Sequence, residues 1–307
     1  MATSTQIAAP ARIASPLALW HLLSLDAPTV AALWTWFIGR AAGVHLPAAS
    51  PLAMALAVWI LYAADRLLDA RVLDAGGDSS VPTLALMQFE ARHYFHYRHR
   101  RAFLAGIASA SIALGALLPL LDAAALHLYL LEGTLLAGWF LMVHTTRSGH
   151  RLPKEIAVGI FFSAAVFIPT VARSPALRPA LALPALLLGV LCALNCLFIY
   201  AWEHAELRGA QKCAGGPQPH STTRFAIKHL TAIAIAELVS AAAVSALGHG
   251  SIRLIAAASA LSSALLLALH QAGRRRSSLT RIHLRAAADL ALLTPALALA
   301  WLALFSQ

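Results

Sequence analysis

Asp65 and Asp69 close a long apolar run, Trp59-Ile-Leu-Tyr-Ala-Ala-Asp65-Arg66-Leu-Leu-Asp69. The stretch ahead of them, from about Pro47 to Ala64, is apolar enough for a bilayer. Acids are costly at such a place and point to a role. On a helix, an i,i+4 spacing puts both carboxylates on one face. Two oxygen donors on one face can hold Mg²⁺, the usual partner of a phosphate-bearing substrate. The competing reading is structural: interfacial acids paired with Arg66, Arg71 or a neighbouring helix.

A second polar constellation is Asn195-Cys-Leu-Phe-Ile-Tyr200-Ala-Trp202-Glu203-His204-Ala-Glu206. Glu203 and Glu206 share a face at i,i+3, and Asn195 and Trp202 lie on nearly one stripe at i,i+7. This reads as a second metal-binding face, or as a solvated helix end with Glu203 near Arg208. Arg92, His93, Arg98, Arg100 and Arg101 form a basic aromatic segment. It could grip phosphate oxygens or rest as an amphipathic helix on anionic headgroups. His93, His96 and His99 are spaced by three, whereas paired helical ligands more often use i,i+4.

Thr145, Thr146, Arg147, Arg151, Pro153, Lys154 and Glu155 precede another apolar run. Pro153 suits the first position of a helix. Lys154 either reaches a polar cavity or anchors the span. Arg285 and Asp289, at i,i+4, read as a structural ion pair, with a kink expected at Thr294-Pro295. Glu132 and Glu237 fall mid-span with no partner that the sequence identifies.

The elements that carry these residues are membrane helices. Apolar residues make up 60% of the 307 and charged residues 12%, against about a quarter charged in a soluble domain. Mean hydropathy is +0.72. Ala and Leu dominate, so the spans are helices rather than barrel strands. Nine candidate spans run near 18–42, 48–70, 102–121, 123–144, 154–172, 177–203, 225–247, 251–272 and 286–306. The first contains His21, Ser24 and Asp26 and could begin nearer Pro28, after an interfacial piece. Residues 1–17 read as a cytoplasmic tail without the order of a signal peptide. Residues 18–306 read as one transmembrane domain with long loops at 71–101 and 204–224.

Of 23 Lys and Arg, 17 fall in the loops after spans 2, 4, 6 and 8. By the positive-inside rule those loops and the N-terminus are cytoplasmic, and nine spans put the C-terminus on the opposite side of a cytoplasmic or inner membrane. The formal charge of +10 is thereby spread in blocks along one membrane face, which excludes a nucleic-acid partner and leaves membrane lipids. Three cysteines, Cys192, Cys196 and Cys213, lack the number and spacing of a disulfide or zinc framework and read as packed thiols.

This arrangement resembles the UbiA superfamily of intramembrane prenyltransferases. The family's first motif has Asn followed by Asp at four and eight residues. Here Leu61 stands at the Asn position, and Asp65 and Asp69 match the metal-binding aspartates. In the second motif Asn195 and Glu203 match the outer positions, Ile199 replaces the middle acid, and Glu206 is an additional one. Pro153-Lys154 followed by Gly159 is similar to the family's Lys and Gly entering span 5.

The resemblance implies an all-α bundle of nine transmembrane helices. It implies Mg²⁺-dependent transfer of a prenyl group from a prenyl pyrophosphate to an aromatic or other lipophilic acceptor. Asp65 and Asp69 would hold one Mg²⁺, and Glu203 with Glu206 or Asn195 a second. Arg66, Arg98, Arg101 and Lys154 would neutralise the pyrophosphate. The alternative from another class is a non-catalytic membrane protein, a transporter or assembly factor, on the same helix layout.

Overall fold

The computed structural model describes residues 16–70, 91–145, 154–203, 220–275 and 281–298, and among these residues every regular element is helical. The helices are α1 (Pro16–Leu22), α2 (Asp26–Ala41), α3 (Ala49–Ala70), α4 (Ala91–Arg98), α5 (Arg100–Leu117), α6 (Ala123–Thr145), α7 (Lys154–Arg173), α8 (Arg178–Glu203), α9 (Ser221–Lys228), α10 (Leu230–Leu247), α11 (Gly250–Arg275) and α12 (Arg281–Ala291).

Seven helices among the described residues are long and apolar enough to cross a bilayer: α3, α5, α6, α7, α8, α10 and α11. The pair α1 and α2 makes an eighth if it counts as one broken span, bent by 88°. The ninth expected span begins as α12, turns at Leu292 and Leu293, and resumes as a helix from Thr294. The break falls just before Pro295, where the missing N–H ends the ladder. Trp34 Nε1 donates to the buried carbonyl of Leu292 in this turn at 2.9 Å. The remainder of that span, 299–306, lies outside the described residues, as do the tail to residue 15 and loop residues 71–90, 146–153 and 204–219. Parts of both expected long loops are helices, α4 and α9.

Connections are short on one side: Ala42–Ala48, the 3₁₀ turn at Leu118–Leu120, the 3₁₀ turn at Pro175–Leu177, and Gly248 with His249. Antiparallel neighbours follow. The pairs α2/α3, α7/α8 and α10/α11 pack along their lengths, and α2 also touches α7, α11 and α12. The segments that carry the predicted acids and most of the basic residues gather at the opposite end: the start of α2, the end of α3, α4, the starts of α5 and α7, the end of α8, α9, and the start of α12.

The core is built around α2 and α8. Trp34, Phe37 and Ile38 of α2 and Leu188, Leu191, Leu194 and Phe198 of α8 are fully buried in one cluster. Inside a bilayer such burial stabilises through close packing rather than expulsion of water. Small residues permit that packing. A Cβ on Gly159 of α7 would meet the carbonyl of Gly189 of α8 at 2.4 Å. By contrast α5 and α6 bury almost none of their length and turn Leu104, Ile112, Leu130, Leu131, Leu135 and Leu141 outward.

Candidate functional site

Five elements converge on one small cavity at the polar end. Its lining is Ala27 and Val30 of α2, Tyr62 of α3, Val158 and Phe162 of α7, Cys192, Asn195 and Cys196 of α8, Asp289 of α12, and Leu292. The volume is about 30 Å³, room for a water or two. The walls are mostly apolar, with Asn195, Asp289 and Tyr62 as the polar groups. Cys192 is buried, Cys196 is half-buried, and both are free thiols, as packing thiols should be.

Helix periodicity relates the two predicted acidic ends to this cavity. Tyr62, Arg66 and Asp69 follow one stripe of α3, and Asn195, Cys196, Ile199 and Glu203 one stripe of α8. Each stripe starts at the cavity and rises toward the polar end. The acids, however, meet arginines. Arg66 Nη1 lies 3.0 Å from Asp65 Oδ2 and 3.9 Å from Asp69 Oδ2, with its guanidinium 5.8 Å from the Tyr62 ring centre. Both carboxylates thus converge on a single cation. On α8, Glu203 is bonded to Arg285 of α12. That contact gives Arg285 a partner outside the i,i+4 pairing with Asp289.

The remaining predicted residues are dispersed. Asn195 and Glu203 are eight residues apart, roughly 12 Å along the helix, so they do not share one ion. Glu206 lies outside the described residues. Arg98 and Arg101 are exposed on α4 and α5, and Lys154 is exposed at the first position of α7. Beside it, Glu155 Oε2 accepts a hydrogen bond from Thr223 Oγ1 of α9 at 3.2 Å. Trp202 leaves the Asn195 stripe for α11, where its Nε1 donates to His270 Nδ1 at 3.1 Å. Glu237 accepts a hydrogen bond from Ser263.

The structure adds a polar network around the break between α1 and α2. His21 Nδ1 is 2.6 Å from Asp26 Oδ2, and both residues are buried. Asp26 Oδ1 also accepts from the Ala27 amide at 3.0 Å. One donor atom from each of His21, Asp26 and Asp289 lies within 4.8 Å of the others. Asn195 Nδ2 donates to Asp289 Oδ1 at 2.9 Å, while Asn195 Oδ1, also buried, has no partner.

Helix α4 closes the network from outside. His96 is fully buried, with Nε2 3.3 Å from Ser24 Oγ in the break and its ring stacked 4.0 Å from Phe103. The side chains of Arg92 and His93 lie outside the described set. His21 and Asp26 are five residues apart, which no helix face brings together, so spacing alone gave no signal. The nearest clue was a run of polar residues, His21, Ser24 and Asp26, inside an apolar span. Comparison of the chain with family models, curated proteins and solved structures finds no match.

Proposed function

We propose that this membrane protein transfers a prenyl group from its pyrophosphate to an aromatic or other lipophilic acceptor, as a divergent relative of the UbiA superfamily. The supporting observation is that α3 and α8 line one cavity, and their acids stand one to two turns further along the same faces. Asp65 and Asp69 suit a first Mg²⁺ site, because two half-exposed carboxylates already converge on a cation, the Arg66 guanidinium. Mg²⁺ commonly takes one or two carboxylates and completes its shell with water and phosphate oxygens. A second Mg²⁺ site on α8 does not assemble from the described residues.

In this reading Asp65 and Asp69 hold the ion, which would offset charge growing on the departing pyrophosphate. Arg66, released from the aspartates, binds pyrophosphate oxygens, together with Arg98, Arg101 and Lys154. The C1–O bond of the prenyl donor breaks and its electron pair leaves with pyrophosphate. The acceptor bonds to C1 and gives up a proton. Apolar walls keep water from quenching the allylic cation.

One observation favours the second reading, a non-catalytic transporter or assembly factor: the acids are already neutralised by Arg66 and Arg285. Purified protein with Mg²⁺, phenolic acceptors and radiolabelled prenyl pyrophosphates of several chain lengths separates the two. Catalysis gives Mg²⁺-dependent release of pyrophosphate, reduced about 100-fold or more in Asp65→Asn and Asp69→Asn. Absence of release with every donor and acceptor favours the non-catalytic reading. Release unchanged in both variants removes the assigned site.

A further inference from the structure

The geometry points to a metal site for a first-row divalent ion, such as Mn²⁺, Fe²⁺, Co²⁺ or Zn²⁺, held by His21, Asp26 and Asp289 with Asn195 Oδ1 beside them. This site is separate from Asp65 and Asp69 and does not depend on prenyl transfer.

Charge is the starting point. Asp26 and Asp289 approach each other at the protein interior, where two bare carboxylates repel strongly. A protonated His21 offsets only one of them. Arg285, one turn before Asp289, is shared with Glu203 and offsets the pair only in part. A shared proton or a bound cation must supply the balance.

Three features favour the cation. The donor atoms of His21, Asp26 and Asp289 are within 4.8 Å of one another, close enough for one ion to gather all three. Asn195 is 6% exposed, and its Nδ2 fixes Asp289 while its Oδ1 is unpartnered. That buried carbonyl oxygen has no hydrogen-bond donor, and a proton shared between the two aspartates does not supply one. Finally, the adjoining cavity, lined by Asn195 and Asp289, has room for water, which could complete a coordination shell. An imidazole with carboxylate and amide oxygens suits a first-row transition ion better than Mg²⁺.

The test uses the full-length protein in detergent, stripped with chelator and titrated with Mn²⁺. The expected result is a Mn²⁺ site with a ¹⁴N coupling from coordinated imidazole in pulsed EPR, beside any uncoupled Mn²⁺ held by Asp65 and Asp69. That signature distinguishes it from the carboxylate-only pair on α3 without relying on any variant. His21→Gln should remove the coupling and weaken binding more than about tenfold. Asp65→Asn combined with Asp69→Asn should leave the coupling and the affinity of the coupled site unchanged. The proposal is overturned if Mn²⁺ binds only without nitrogen coupling. It is equally overturned if the coupling persists in His21→Gln, or if no site tighter than millimolar appears.

Discussion

Ser24 has a backbone φ of 56°, in the left-handed region that costs a residue with a side chain about 1–2 kcal/mol. That conformation turns α1 away from α2 and brings His21 back onto Asp26. The strained residue also bonds His96, so its side chain helps hold the turn. Ser24→Gly should relieve strain and lose one weak hydrogen bond, leaving stability nearly unchanged. Ser24→Val should cost about 2–4 kcal/mol, since a β-branched residue tolerates positive φ poorly and the bond to His96 is lost. Unfolding midpoints in detergent check this, and equal midpoints for the two variants would refute the strain. The same residues show what could be read from sequence. The pairing of Asp65 and Asp69 with Arg66 was legible because neighbours on one helix meet by local geometry. His21 with Asp26 was not, because a helix break creates their contact. Asn195 with Asp289 was not either, because 94 residues separate them and no local rule carries a tertiary pairing.

At the scale of elements, hydropathy located the long spans well because each must satisfy its own backbone within about 20 apolar residues. It located the ends poorly where polar residues enter the bundle, as at the α1/α2 break and at Leu292. The contact between α7 and α8 is set by glycine. Gly159 tolerates no added carbon, since a Cβ there would lie 2.4 Å from the Gly189 carbonyl and 3.1 Å from Ala193 Cβ. The reverse is milder: a Cβ on Gly189 has its nearest neighbour at 3.4 Å. Gly159→Ala should therefore push the helices apart and cost about 1–3 kcal/mol, with Gly189→Ala clearly less harmful. Thermal unfolding of the two variants compares them directly, and equal losses would show that the crossing adapts freely. Val158 and Phe162 face Cys192 and Asn195 across the cavity, so this crossing also sets its width. The expected Gly at the entrance to span 5 thus has a packing explanation that needs no ligand.

For the whole molecule, the polar network, both arginine-bound acidic ends and the small amphipathic segments occupy one end of the bundle. Short turns close the other, where Arg173 Nε meets Asp122 Oδ2 at 3.3 Å. By the positive-inside rule, the distribution of Lys and Arg would put the polar end on the cytoplasmic side. Charged substrates and metal ions would then arrive from the cytosol, and an apolar chain could enter laterally from lipid. Single cysteines in a background with Cys192, Cys196 and Cys213 replaced by alanine test this arrangement. Ala123→Cys, Ala176→Cys and His249→Cys mark the short turns, at exposed positions. Arg101→Cys and Lys228→Cys mark the polar end, also exposed. In sealed right-side-out vesicles an impermeant maleimide should label the first three, and the last two only after permeabilisation. The opposite pattern would invert the topology and detach the site from cytosolic pyrophosphates. Mixed labelling within either set would break the antiparallel order of the helices, and with it the convergence of α3 and α8 on which the proposed chemistry depends.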